Sequence, residues 1–270
     1  MFVEKQEKRN LGDFGMGCLT EEERVSYERD GFFVVENLLP KDEVEGLLAR
    51  FREYTHGNRD RGEIRFRPEP RVERGEISVD HPGDGIRKVD GLVEGDDRFR
   101  ALGTHPAIVS KVDGILGPDI KMFRNALMAK PPDVGSAKGF HQDSPYWPIE
   151  PMSLVSCWFA LDDTDEENGC MQVLPGGHKR GPLPHVHVTD DFVIDPERQA
   201  ELGELRVVPL SAGAGLFFHS LLPHYTSPNR SNRWRRAIAL SYMSAKFRYT
   251  KEGPLPEYFQ VKGQSYPGCV

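Results

Sequence analysis

From residue 117 onward the chain breaks into short apolar runs punctuated by turn residues, and this texture limits the fold more than any other feature. Lys121–Lys130, Leu154–Leu161, Cys170–Leu174, Leu205–Leu210, Gly215–His219 and Trp234–Met243 read as strands. The segments PPD, EENG, PGG, SAGAG and SPNRSN lie between them, and such Gly, Pro and Asn clusters mark turns. Many short strands with this punctuation pack as a sandwich or jelly roll.

The first part of the chain has a different period. Thr20 and Glu23 form a capping box that starts a short helix to about Arg29. Gly31 to Glu36 then reads as a strand. A second helix is expected over about Asp42 to Thr55, because Val44, Leu47, Leu48 and Phe51 recur at helical spacing. A third is expected over His105 to Leu116, ended by Gly117 and Pro118. Between them, residues 56–90 interleave Arg59, Arg61, Arg65, Arg67, Arg71 and Arg74 with Glu63, Glu69, Glu73 and Glu76. No hydrophobic period survives there, so the segment reads as a long loop with at most one short strand, a candidate cover for a site. No repeat or composition break marks a second domain. Residues 1–270 therefore read as one domain, helix-rich over about 20–116 and β over about 117–245.

Composition excludes several function classes. Hydrophobic residues make up 38% of the chain, enough for a sizeable core, and the net charge of −7 favours neither nucleic acid nor an anionic membrane. Cys18, Cys157, Cys170 and Cys269 fit no zinc ribbon and suit a reduced protein. Met1 to Gly15 lacks the apolar stretch of a secretory signal, the apolar runs are too short to span a bilayer, and the SYPGCV tail carries neither prenylation nor peroxisomal signal. The expectation is a cytoplasmic protein acting on a small molecule.

Two constellations carry chemistry. In Phe140–His141–Gln142–Asp143, residues two apart on a strand share a face, so an imidazole and a carboxylate would meet at one point. That is two-thirds of a 2-His-1-carboxylate triad, which leaves one side of a metal open. The third ligand must come from His178, His185, His187, His219 or His224. The second constellation is a strand in which Arg235, Ala237, Ala239 and Ser241 share a small face, opposite the bulky Trp234, Arg236, Ile238, Leu240 and Tyr242. A guanidinium at the mouth of such a face suits a carboxylate bidentately, although a strand-end ion pair would use the same residues.

These runs resemble the phytanoyl-CoA dioxygenase family. The resemblance is carried by Ala129 to Gly135, by HQD, by Cys157 to Asp162, by Asn168 to His178, by Phe218 to Asn229 and by Arg235 to Ile238. It implies a double-stranded β-helix core, cupin-like, with N-terminal helices packed outside. It implies iron(II), 2-oxoglutarate and O2, with the metal on His141, Asp143 and His224 and the distal carboxylate of 2-oxoglutarate on Arg235. Further cosubstrate contacts fall on Thr226, Trp158, Gln142 and Lys88, the last on the short match Arg87 to Asp90. His219 then lines the site, His178 is a turn residue, and His185 and His187 lie in a solvated surface loop. Halogenating relatives replace the carboxylate with a small residue; Asp143 is intact, which implies hydroxylation or desaturation with release of succinate and CO2. The competing readings are a metal-bound cupin-like enzyme of another class and a non-enzymatic binding domain on the same fold.

Overall fold

The computed structural model describes residues 19–199 and 202–270. Cys18 and the stretch Met1 to Gly15 lie outside the described residues. Helix α1 (Glu21–Asp30) begins at the expected capping box, with Thr20 accepting from the Glu23 amide and Glu23 returning the bond to Thr20. It ends at Gly31, which is left-handed at φ 86°. A side chain there would also meet the His178 ring, since an added Cβ would lie 2.4 Å from Nδ1. Helix α2 (Lys41–Thr55) buries Val44, Leu47 and Phe51, and Leu48 packs partly buried against the same core. Short helices α3 (Pro70–Glu73), α4 (Leu92–Gly95) and α5 (Asp97–Gly103) precede α6 (Pro106–Leu116), and α7 (Pro196–Gln199) follows late in the chain.

The strands are β1 (Phe32–Val35), β2 (Arg65–Pro68), β3 (Ile86–Asp90), β4 (Ile120–Lys130), β5 (Lys138–His141), β6 (Ile149–Glu150), β7 (Val155–Ala160), β8 (Met171–Val173), β9 (His185–Val188), β10 (Asp191–Ile194), β11 (Arg206–Val208), β12 (Gly215–His219), β13 (His224–Thr226), β14 (Arg235–Ser244), β15 (Arg248–Tyr249) and β16 (Phe259–Lys262). The fold is mainly β and antiparallel, as a jelly roll requires. One sheet runs β1-β12-β7-β14-β4-β3-β2 with β16 also on β4; a four-stranded sheet runs β11-β8-β13-β5.

Strand alternation explains how the large sheet is buried on both faces. In β7, Val155, Cys157 and Phe159 pack into the core shared with the helices, whereas Trp158 and Ala160 pack toward the small sheet. In β14, Ile238, Leu240 and Tyr242 take the helix side, and Ala237 and Ala239 the inter-sheet side. The small face read from the sequence therefore looks into the space between the sheets, where Met171, Val173 and Val208 meet it.

The stretch 56–90 differs from the expected loop. Its β2 and β3 pair with each other, and β3 pairs with β4, which extends the large sheet. Ile64, Ile86 and Val89 are core residues. Arg65 and Arg67 of the Arg–Glu alternation lie exposed on this edge strand, where charge discourages further strand pairing, whereas Glu69 turns inward.

Candidate active site

His141 ends β5 and His224 begins β13, and the two are direct cross-strand partners. Their rings lie 4.1 Å apart between centroids. Each Nδ1 is turned to a backbone carbonyl, Gly139 O at 2.7 Å for His141 and Leu222 O at 2.9 Å for His224. That partner holds the proton on Nδ1 and frees the Nε2 lone pair. The Asp143 carboxylate stands 3.7 Å from Nε2 of His141 and 4.0 Å from Nε2 of His224. One ligand atom from each of the three residues lies within 4.8 Å of the others. Burial drives both imidazoles below their usual range; the Asp143 charge opposes this at His224.

The local backbone differs from the simple strand picture. Asp143 lies past the end of β5 in right-handed helical conformation, at the start of a 3₁₀ turn, Ser144–Tyr146. Its amide donates to Ser220 O at 2.9 Å, and Ser156 Oγ donates to its carboxylate at 3.3 Å. Gln142 is not in the pocket. Its buried amide donates to Gly181 O and Leu221 O and accepts from the Leu183 amide at 2.7 Å. Gln142 thus spends its hydrogen bonds on the loops that frame the turn, because it points away from both its neighbours.

The open side of the cluster faces an inner cavity of about 90 Å³ whose walls include Trp158, Thr226 and Arg235. Arg235 is 3% exposed. Its Nη1 donates to Met128 O at 3.1 Å and its guanidinium lies 5.4 Å from the Trp158 ring centre. No carboxylate pairs with it among the described residues, and burial pushes its pKa down to about 10. Arg235 Nε and Thr226 Oγ1 are buried without a hydrogen-bond partner. Buried polar atoms are rarely left so, and here both border one cavity.

A wider cavity of about 730 Å³ continues outward past His141 and Asp143. Lys88 lines this outer space, not the inner one, and pairs with Asp90 at 2.7 Å. Tyr146, Trp147 and Phe192 line its other side. His219 does not line the inner cavity; its ring packs near His178 and Tyr27, with centroids at 5.3 and 6.1 Å. His178 sits in a 3₁₀ turn, Gly177–Arg180, after β8. His185 and His187 lie on β9, not in a loop. His185 Nε2 accepts from the Gln142 amide at 3.1 Å, and its ring stacks on Phe192.

Two site residues carried no signal in the sequence. Glu69 is wholly buried, accepting from Ser136 N and Oγ at 3.1 and 2.7 Å, and borders the inner cavity. Lys130 is 3% exposed, and its ammonium reaches Ser136 O and Ser227 O at 2.6 Å each. Glu69 stands among charged residues and Lys130 at the end of a strand, and both positions read as surface. A separate cleft of about 630 Å³ beside α2 and α5 holds Arg50, Arg59 and Asp96, which already pair with one another. Among the described residues no disulfide forms, and no helix is long and apolar enough to cross a membrane.

The phytanoyl-CoA dioxygenase family model matches residues 27–237. The peroxisomal phytanoyl-CoA dioxygenase of Rattus norvegicus is 31% identical over 253 residues, covering 86% of this chain and 70% of the relative. The ectoine dioxygenase of Bordetella parapertussis is 27% identical over 239 residues, covering 82% and 73%. Among solved structures, EctD from S. alaskensis with 2-oxoglutarate and 5-hydroxyectoine superposes with a TM-score of 0.72 at 19% identity, over 97% of this chain and 89% of that one. The chain belongs to the phytanoyl-CoA dioxygenase family, and with it to the 2-oxoglutarate-dependent non-haem oxygenases.

Proposed function

We propose that this chain is a single-domain iron(II)- and 2-oxoglutarate-dependent hydroxylase of a small organic molecule, with His141, Asp143 and His224 as metal ligands and Arg235 as the anchor of the cosubstrate. The observation that carries the reading is the pairing of a three-ligand cluster with an unsatisfied guanidinium in one cavity. Two imidazoles and a carboxylate suit iron(II) and leave positions open beside them. Arg235 Nε and Thr226 Oγ1 fit a carboxylate that would satisfy both.

With iron(II) bound, 2-oxoglutarate and O2 supply the oxidising chemistry, giving succinate, CO2 and one oxygen atom for a substrate C–H bond. The protein's part is position and dryness. Gly139 O and Leu222 O hold the two imidazoles in ligating tautomers. Ser156 and Ser220 hold Asp143 against them. Arg235 fixes one end of the cosubstrate, so it enters in one orientation. Trp158, Met171 and Phe218 exclude water from the inner wall. Asp143 stands where halogenating relatives carry a small residue, which favours hydroxylation or desaturation over halogenation.

The test is succinate release with iron(II), 2-oxoglutarate and O2 against a panel of small organic substrates, followed by mass spectrometry. A product heavier by one oxygen, formed in step with succinate, supports the reading. Turnover that rearranges the substrate without adding oxygen contradicts it.

A further inference from the structure

Arg124 is the charged residue of the site that the proposed chemistry leaves unused. It lies on β4 directly opposite Ser241 of β14, and Ser241 is directly opposite Ser156 of β7. Directly opposed residues of antiparallel strands project to the same face. The three side chains therefore form one row across the sheet on the cavity side. The row ends at the metal cluster, since Ser241 Oγ and Ser156 Oγ are 3.1 Å apart and Ser156 donates to Asp143. With strands about 4.8 Å apart, Arg124 stands about two strand spacings from Ser156. The ladder slips beside it, where Phe123 is skipped between the Arg124 and Met122 pairings. Such bulges re-aim neighbouring side chains.

Arg124 borders both the inner and the outer cavity and is half-buried. Among the described residues its side chain has neither a hydrogen bond nor an ion pair, while its backbone pairs in the β4–β14 ladder. Each other cation of the outer wall has at least one partner, though Arg87 has a carbonyl and not a carboxylate. Arg67 and Lys88 share Asp90 at 3.1 and 2.7 Å, Lys138 pairs with Asp191, and Arg87 donates to Ala137 O at 3.3 Å. A half-buried guanidinium without a partner, at the join of the two cavities, has a vacant bidentate fork.

We propose that Arg124 is the specificity-determining residue that binds an anionic group, a carboxylate or a group of like geometry, on the substrate. The proposal rests on the oxygenase reading above. The anion on Arg124 and the cosubstrate on Arg235 are held by separate strands, β4 and β14, so the site takes two anions at once. Tyr146, Trp147 and Phe192 across the outer cavity receive the apolar remainder of the substrate.

The test is anaerobic calorimetry on the protein loaded with iron(II) and saturating 2-oxoglutarate. The probes are matched pairs, hexanoate with hexanamide and 3-phenylpropanoate with 3-phenylpropanamide. At least one carboxylate is expected to bind about tenfold or more tightly than its amide. Arg124→Met and Arg124→Gln should both remove that preference, and 2-oxoglutarate should titrate them within twofold of wild type, which also shows that the variants fold. The proposal is overturned if neither pair shows a carboxylate preference or if the variants keep it. It is equally overturned if the variants lose 2-oxoglutarate affinity, since Arg124 would then serve the cosubstrate. Failure of 2-oxoglutarate to bind the iron-loaded wild type would instead sink the oxygenase reading itself.

Discussion

Lys130 and Arg235 face each other across the β4–β14 ladder, two buried cations in direct register. Burial first, and the Arg235 charge second, hold the Lys130 ammonium well below its usual range. Like charges taken out of water together are costly unless something compensates them. Lys130 is compensated by carbonyls, whereas Arg235 keeps an unsatisfied Nε. The vacancy is on the arginine, where the cosubstrate carboxylate is proposed to sit.

Arg235→Leu should therefore raise the 2-oxoglutarate requirement without much loss of stability. A charged, bidentate contact of about 1.5–3 kcal/mol corresponds to roughly 10–150-fold in affinity. Lys130→Met should behave in the opposite way, lowering thermal stability because it strips three carbonyls of their donor. Steady-state titration of 2-oxoglutarate and a melting curve on each variant separate the two roles. An unchanged 2-oxoglutarate KM in Arg235→Leu would remove the cosubstrate role.

His224 and His219 should respond differently to alanine. His224→Ala is expected to abolish stoichiometric iron binding and turnover. His219→Ala should retain iron, because its ring packs with His178 and Tyr27 and does not border the inner cavity. Metal content after anaerobic reconstitution is the measurement, and iron loss in His219→Ala alone would reverse the assignment.

His219 also predicts how the fold responds to acid. Burial, with the nearby His178 charge second, pushes its pKa down to about 4 from an ordinary value of 6.5. The unfolded chain then binds the proton more readily than the folded one. The stability gained by keeping the ring neutral is complete above about pH 6.5 and is lost as pH falls toward 4. At pH 5 the loss amounts to about 2 kcal/mol. Unfolding of the metal-free protein should be easier at pH 5 than at pH 7, and His219→Gln should reduce that difference without abolishing it, since burial lowers His141 and His224 as well.

An exposed ion pair ties two segments at the border of the outer cavity, which Glu73 and Asp190 line. Arg74, between α3 and β3, donates to both Asp190 oxygens at 2.9 and 3.1 Å, and Asp190 joins β9 to β10. Exposed pairs contribute little to stability, so Arg74→Ala should scarcely change the melting temperature. Hydrogen exchange in residues 69–85 and 185–194 should slow when 2-oxoglutarate and substrate bind, and Arg74→Ala should reduce that slowing. Equal exchange in free and loaded protein would show that neither segment covers the site.

The sequence was most informative where one short pattern decides geometry. Alternation along β14 separated Arg235, Ala237, Ala239 and Ser241 from the bulky face, and the structure turns that face inward. His141 and Asp143 meet as their spacing suggested, though a turn and not a strand brings Asp143 round. Strands β5 and β13, of four and three residues, are too short for any period to declare them. Glu69 and Lys130 were illegible for another reason. Glu69 is polar among polar neighbours and Lys130 reads as an ordinary cation closing a strand, and only their contacts with Ser136 and Ser227 make them interior. Gln142 and Lys88 sit beside informative motifs but face elsewhere, one to the framing loops and the other to Asp90.

The most direct test of the metal and cosubstrate assignment is anomalous diffraction at the iron edge from crystals grown anaerobically with iron(II) and 2-oxoglutarate. The expected result is one iron at about 2 Å from Nε2 of His141, Nε2 of His224 and the Asp143 carboxylate, a distance ordinary for such ligands, with the far carboxylate of 2-oxoglutarate on Arg235 and Thr226. Iron held elsewhere, or 2-oxoglutarate absent from the cavity beside Trp158, would contradict it.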